Sequence, residues 1–293
     1  MENLITKFLN YLKFEQNYAI CTIISYEQDL KKFKQFILNK KMENVIYQDI
    51  RNYLEFLFKQ KYSKKTIARY ISTLRSFYKY LYAEKIIVSN PMELIVSPKA
   101  DRFLPKVLNY KEIEAVLTVN NTNTYIGKRN ALVLEMLYST GVRVSELVNI
   151  KLTDINKDDC KIKITGKGNK QRYVLFGSIC LVKLNDYLKN GRIFLNIANS
   201  DYLFLNQHGK QLSDRLVREI VLTSGNLAGL KFAISPHVIR HTFATTLLNE
   251  GADLKCVQEL LGHTNLSTTA IYMHLSNDHM RHVYLKCHPR SKK

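Results

Sequence analysis

Apolar side chains recur every three to four positions through residues 1–95. Leu4, Ile5, Phe8, Leu9 and Leu12 trace one stripe, Ile23, Leu30, Phe33 and Ile37 a second, and Ile50, Leu54 and Leu57 a third. That is the period of helices which each turn one face to a core. A fourth helix opens at Ser63, whose hydroxyl suits an N-cap, and turns Ile67, Tyr70, Ile71, Leu74, Phe77, Tyr78 and Leu81 inward. Lys64, Lys65, Arg69, Arg75 and Lys79 fall on its other faces. The period stops between Asn90 and Lys106, where Pro91, Pro98 and Pro105 stand. The pattern therefore predicts a helical domain over 1–95, a linker over 96–107 and a second domain over 108–293.

The second domain opens on Asn109 with Glu112 three residues later, the spacing of a capping box, and continues as mostly helix. Its exception is the stretch DCKIKITGKGNKQRYVLF, residues 159–176, in which Ile162 and Ile164 alternate with lysines, a Gly-Lys-Gly-Asn turn follows, and Tyr173, Val174 and Phe176 lead away. This predicts a β-hairpin with Lys167 near its tip. The run DYLFLN, 201–206, reads as one more short strand. The fold class is mainly α, with a small β element in the second domain.

Several helix ends carry polar residues of a particular kind. Gly141 stops one helix and leaves Arg143 at the start of the next, where unpaired backbone N–H groups favour an anion. Ser235 and Pro236 start another, with His237 in its first turn and Arg240 on the same face three residues on. Gly262 ends a helix, His263 follows in a loop, and Ser267 caps a helix that carries Tyr272. Taken singly, Arg143 is a surface partner of Glu146, His237 is a core histidine, and Tyr272 is one tyrosine among 18. Taken together, two arginines, a lysine, two histidines and a tyrosine suit metal-free phosphoryl transfer. Fixed cations stabilise charge growing on phosphorus-bound oxygens, and a tyrosine can attack covalently.

Charge changes the picture in the same direction. The chain has 44 Lys+Arg against 25 Asp+Glu, a net +19, and both domains share the excess. Such a balance points to a polyanionic partner, nucleic acid before membrane, although a lysine-rich composition alone also raises the count. Five widely spaced cysteines without a C-x-x-C pair argue against a disulfide framework and a thiolate zinc site, and fit a reducing cytosol. The opening MENLITKFLNYLKFEQN carries charge at helical intervals and no signal-peptide core, and no stretch has the length of an apolar membrane span. A zinc reading of His237, His241 and His263 lacks the glutamate of H-E-x-x-H, because Val238 stands there. Asp158 and Asp159 are adjacent acids at a turn, so the expectation is no metal and no cofactor.

Arg143 in TGVRVSEL, Lys167 in TGKGNKQR, His237 and Arg240 in PHVIRHTFAT, His263 in ELLGH and Tyr272 in STTAIYMHL together resemble the tyrosine recombinases, the phage integrase family. The match spans essentially the whole chain, and the helical first domain, the prolyl linker and the terminal CHPRSKK resemble the Xer subgroup most. The resemblance implies a SAM-like N-terminal bundle and a mixed, mostly helical catalytic domain that enclose DNA as a two-domain clamp. It implies that Tyr272 attacks a phosphodiester to give a 3′-phosphotyrosine and a free 5′-hydroxyl, which rejoins to the partner strand. Arg143 and Arg240 would clamp non-bridging oxygens, Lys167 would protonate the leaving oxygen, His237 would assist Tyr272, His263 would donate to the phosphoryl group, and Glu146 would orient its neighbours. Lys64, Lys65, Arg69, Arg75, Lys170 and Arg172 are the further candidates for DNA contact. Family behaviour also implies a homo- or hetero-tetramer on two synapsed DNA sites, with a C-terminal exchange helix at about 277–287. Resolution of chromosome dimers at a dif-type site in the cytosol of a bacterium or archaeon follows, with a septal DNA translocase as candidate partner. An integrase of a phage or mobile element, a type IB topoisomerase-like enzyme and a catalytically silent DNA-binding module are the alternatives.

Overall fold

The computed structural model describes residues 4–38, 40–98, 106–166, 171–262 and 283–291. The chain forms two compact units, Met1–Phe103 and Leu104–Lys293.

The first unit holds α1 (Leu4–Phe14), α2 (Ile20–Phe36), α3 (Tyr47–Lys59) and α4 (Lys64–Ala83), with a 3-10 turn at Met42–Asn44 before α3. Its core is the stripe that the sequence traces: Ile5, Phe8, Leu12, Leu30, Phe33, Ile50, Leu57 and the seven inward residues of α4 are all buried. Leu9, Ile23, Ile37 and Leu54 lie at its margin, partly covered. The Ser63 hydroxyl accepts the Thr66 N–H at 3.2 Å and caps α4. Among the described residues of this unit, one charged residue breaks the pattern. Asp29 is buried in α2, and a lone buried carboxylate costs several kcal/mol. Arg69 donates to both its oxygens, and the Thr73 hydroxyl donates at 2.9 Å. Arg75 Nη2 donates to the Ile95 carbonyl at 2.7 Å, which ties α4 to the chain that follows it. Both arginines therefore have partners inside their own unit, while Lys64 and Lys65 stand exposed in the first turn of α4.

The second unit runs α5 (Tyr110–Thr118), α6 (Tyr125–Thr140), α7 (Val144–Val148), β1 (Ile155–Asn156), β2 (Lys161–Thr165), β3 (Gln171–Leu175) and α8 (Ser178–Tyr187). A π turn at Leu188–Arg192 leads into α9 (Ile193–Leu195), followed by α10 (Asp214–Leu227), α11 (Pro236–Asn249) and α12 (Leu254–Leu261). Asn109 and Glu112 close both halves of the capping box on α5, at 2.8 and 3.0 Å. Every residue of α6 from Ala131 to Thr140 is buried, with α8 and α11 packed against it, so α6 is the central helix and has no solvent stripe. The sheet is antiparallel in the order β1-β2-β3, with Ile162 opposite Val174 and Ile164 opposite Arg172. Residues 201–206 do not form the expected strand. They make two isolated bridges, Lys151 to Tyr202 and Leu205 to Gln211. Leu203, Phe204 and Leu205 are buried in succession, so the run plugs the core as a turn-rich segment and has no alternating faces.

Residues 283–287 are helical and begin the docked tail, 283–291, on the second unit. The His288 ring stacks on Tyr284 with centroids 5.0 Å apart and lies 5.1 Å from Tyr138 and 5.4 Å from Phe243. Arg290 closes a fork on the fully buried Glu135, at 3.0 and 2.6 Å, and Lys183 joins the same carboxylate at 2.8 Å. Gly177 makes room for the tail, because a Cβ there would sit 2.0 Å from the Arg290 carbonyl oxygen. Of the stripe Met280, Val283, Tyr284 and Cys287, Met280 lies outside the described residues and the other three pack on their own unit. No helix among the described residues is long and apolar enough to cross a membrane.

Candidate active site

Helix α6 ends at Gly141, whose φ of +60° is the left-handed conformation that glycine takes without strain. A side chain there would also collide with Phe243, its Cβ only 2.5 Å from that ring. The turn delivers Arg143 as the N-cap residue of α7. Its backbone N–H donates to Glu146 Oε2 at 2.8 Å, and its Nη1 donates to Oε1 at 3.0 Å. From β3, Arg172 reaches the same carboxylate with both Nη atoms, at 2.9 Å each. Glu146 is thus held by four bonds from two arginines, and its side chain is 4% exposed.

Helix α11 supplies the other face. Pro236 sets its first turn, and Ser235 occupies the N-cap position without a side-chain capping bond. His237 is exposed one residue later, at the positive end of the helix dipole. Arg240 is buried and spans two helix ends, with Nη1 on the Gly141 carbonyl and Nη2 on the Leu261 carbonyl at 2.7 Å. The peptide that ends α6 is thereby pinned two residues before Arg143, and the end of α12 is pinned just before Gly262.

The electrostatics are those of an anion site. Burial pushes the Glu146 carboxyl up, but the Arg172 bonds, the Arg143 N–H and the charges of both arginines outweigh it and hold the group below the ordinary carboxylate range. It stays ionised. Arg240 is pushed down to about 10, first by burial and then by the Arg143 charge, with Glu146 opposing and Arg172 adding. Although its side chain reaches solvent, His237 is pushed below its ordinary value, first by the partial desolvation its neighbours impose and then by His241, Arg240, Arg218 and Arg143. A neutral imidazole accepts a proton, which suits a base at neutral pH. Three guanidiniums therefore surround one carboxylate, and that surplus attracts an anionic ligand.

Of the six residues that the sequence singles out, the structure brings Arg143, His237 and Arg240 to one site. Lys167, His263 and Tyr272 lie outside the described residues, as does Lys170. Their flanks are described: β2 and β3 end on either side of 167–170, and Gly262, in the left-handed region with φ +66°, precedes His263. Arg172 is turned inward onto Glu146, a commitment that a charge count along the hairpin does not reveal. Glu135, which holds the tail through Arg290, and Lys183, which bonds the same carboxylate, carry no signal in the sequence pattern. Among the described residues, no three His, Cys, Asp or Glu side chains gather as metal ligands would.

Comparison with known proteins adds independent findings. Residues 106–279 match the phage integrase family, and residues 5–85 match the N-terminal SAM-like domain of phage integrases. A tyrosine recombinase XerC of Anoxybacillus flavithermus is 46% identical over 99% of this chain and 100% of its own length. The XerC of Bacillus pumilus is 43% identical over 100% and 98%. Among solved structures, the XerH site-specific recombinase bound to a palindromic difH substrate in a post-cleavage complex is 26% identical, with a TM-score of 0.71 over 96% of this chain and 84% of that one.

Proposed function

The chain belongs to the phage integrase family as a tyrosine recombinase that cleaves and rejoins DNA, and from that premise we propose a dif-type chromosomal site as its substrate and Tyr272 as its nucleophile. The observation that carries this reading is the surplus of guanidinium over carboxylate at the junction of α6, α7, β3 and α11. A phosphodiester brings one negative charge, and its five-coordinate transition state brings more onto the non-bridging oxygens, where preorganised cationic donors act most strongly.

In the proposed sequence Arg143 and Arg240 hold the non-bridging oxygens. Tyr272 attacks phosphorus, and its phenolic proton passes to neutral His237. An unperturbed tyrosine titrates near pH 10, roughly three units above neutrality, so it needs that acceptor or a strongly cationic setting. The bond to the 5′-oxygen breaks, Lys167 supplies the proton to that oxygen, and His263 donates a hydrogen bond to the phosphoryl group. The 5′-hydroxyl then attacks the phosphotyrosine on the partner strand. One phosphoester replaces another at each step, so no nucleotide cofactor enters. The protein works as a tetramer on two synapsed sites in the cytosol, on the nucleoid, with a septal DNA translocase as a controlling partner.

The relatives that support the dif-type assignment are the XerC proteins and the XerH complex with difH. The test is to recover the DNA fragments covalently attached to the protein in growing cells. The expected result is one chromosomal locus. Attachment spread over sequence-unrelated DNA would point to topoisomerase-like relaxation, and attachment at the ends of a mobile element would make the protein its integrase.

A further inference from the structure

We propose that Arg172 is a positioning residue for the phosphate clamp. It fixes Glu146 so that Arg143 can reach the scissile phosphate, and it touches no DNA itself. The inference rests on the reading of Arg143 given above.

The surroundings of Arg172 carry it. In the β2–β3 register Arg172 lies opposite Ile164, as Val174 lies opposite Ile162, and cross-strand partners share a face. Ile162, Ile164 and Val174 are buried, so Arg172 stands on the covered side of the sheet. Its two Nη atoms are both used on Glu146, at 2.9 Å each. Its Nε is covered, without a partner among the described residues. It packs so closely against Gly262 that a Cβ there would lie 2.8 Å from that nitrogen and 2.9 Å from Cζ. The side chains of the two arginines differ accordingly, Arg143 being 42% exposed and Arg172 18%.

The consequence follows from sharing one carboxylate. With Arg172 taking both oxygens of Glu146, Arg143 spends its backbone N–H and one Nη on that group, and its Nε and Nη2 have no partner among the described residues. Remove Arg172, and a buried carboxylate is left with Arg143 alone. A bidentate pair is the strongest bond the two can form, and forming it turns the Arg143 fork away from the phosphate. Lysine cannot replace Arg172, because a point charge does not span both oxygens.

The test uses the full-length protein on a recombination site whose nick traps the cleaved intermediate. Arg172→Lys and Arg172→Ala are compared with Arg143→Ala, on the natural phosphodiester and on a scissile methylphosphonate that lacks the non-bridging charge. Arg172→Lys should bind the site within about twofold of wild type, keep the salt dependence of binding, and cleave about 10- to 100-fold more slowly in single turnover. On the methylphosphonate both Arg143→Ala and Arg172→Lys should recover most of that loss, because less charge needs the clamp. Weaker binding together with a salt slope reduced by about one unit would make Arg172 a phosphate contact and overturn the proposal. Recovery of Arg143→Ala without recovery of Arg172→Lys would overturn it as well. If Arg143→Ala itself fails to recover, the clamp reading fails, and the positioning role goes with it. Melting curves accompany each variant, and the lysine variant, which keeps charge and bulk, carries the result if the alanine variant does not fold.

Discussion

Glu146 is worth little as a surface acid and a great deal as a buried one. Its four hydrogen bonds come from two arginines, and a third arginine acts on it through charge alone. Each guanidinium is planar and permanently charged, so fixing the carboxylate fixes the directions in which the surplus N–H groups point. Chemistry at the leaving oxygen asks for a different kind of residue, one that gives up its proton, and Lys167 on the β2–β3 connection is the candidate. Lys167→Ala should slow cleavage by roughly two to four orders of magnitude, the scale of a lost general acid. A substrate with sulfur in place of the scissile 5′-oxygen expels a good leaving group without that proton. On it the variant should regain most of the wild-type rate, while Arg240→Ala should stay slow. Equal slowness of Lys167→Ala on both substrates would leave the lysine as a DNA-positioning group.

At the scale of elements, the docked tail is the feature with the sharpest electrostatic signature. His288 is wholly buried, and burial pushes it down to about 4, against an ordinary value of 6.5. The unfolded chain therefore binds a proton that the folded tail refuses between those two values, so stability falls as pH drops from about 6.5 to about 4. The loss is on the order of 3 kcal/mol at the acid end. His288→Phe keeps the stacking on Tyr284 without the titration. Its melting temperature should change less with pH across that window than the wild type's, and parallel curves for the two proteins would contradict the assignment. The same tail is anchored on the buried carboxylate of Glu135. Burial raises its carboxyl, but Arg290 and Lys183 together hold it below the ordinary range.

These elements also show what the sequence could disclose. The four helices of the first unit were legible because each has one apolar stripe, and the Asn109 and Glu112 box was legible because both partners lie within one turn. The strand expected at 201–206 was not formed, since a short apolar run buried on all sides carries no period that separates strand from plug. Arg143, His237 and Arg240 were legible by their spacing at helix starts. The inward turn of Arg172 and the burial of Asp29 and Glu135 were not, because both depend on partners 26 to 155 residues away.

On the scale of the whole molecule, two compact units share a net charge of +19, and the chain aligns end to end with recombinases of similar length. A basic surface explains attraction to DNA but does not explain cutting it. On the proposed reading, one oxygen atom, that of Tyr272, does the cutting, and cationic side chains take the place of a metal ion. The most direct test incubates wild-type protein and Tyr272→Phe with a nicked recombination site in excess EDTA, then assays covalent protein–DNA adduct under denaturing conditions and site binding under native ones. The wild type should form a 3′-linked adduct despite the chelator, and Tyr272→Phe should bind within a few-fold and form none. An adduct that persists in Tyr272→Phe, or one that EDTA abolishes in the wild type and added zinc restores, would contradict the account.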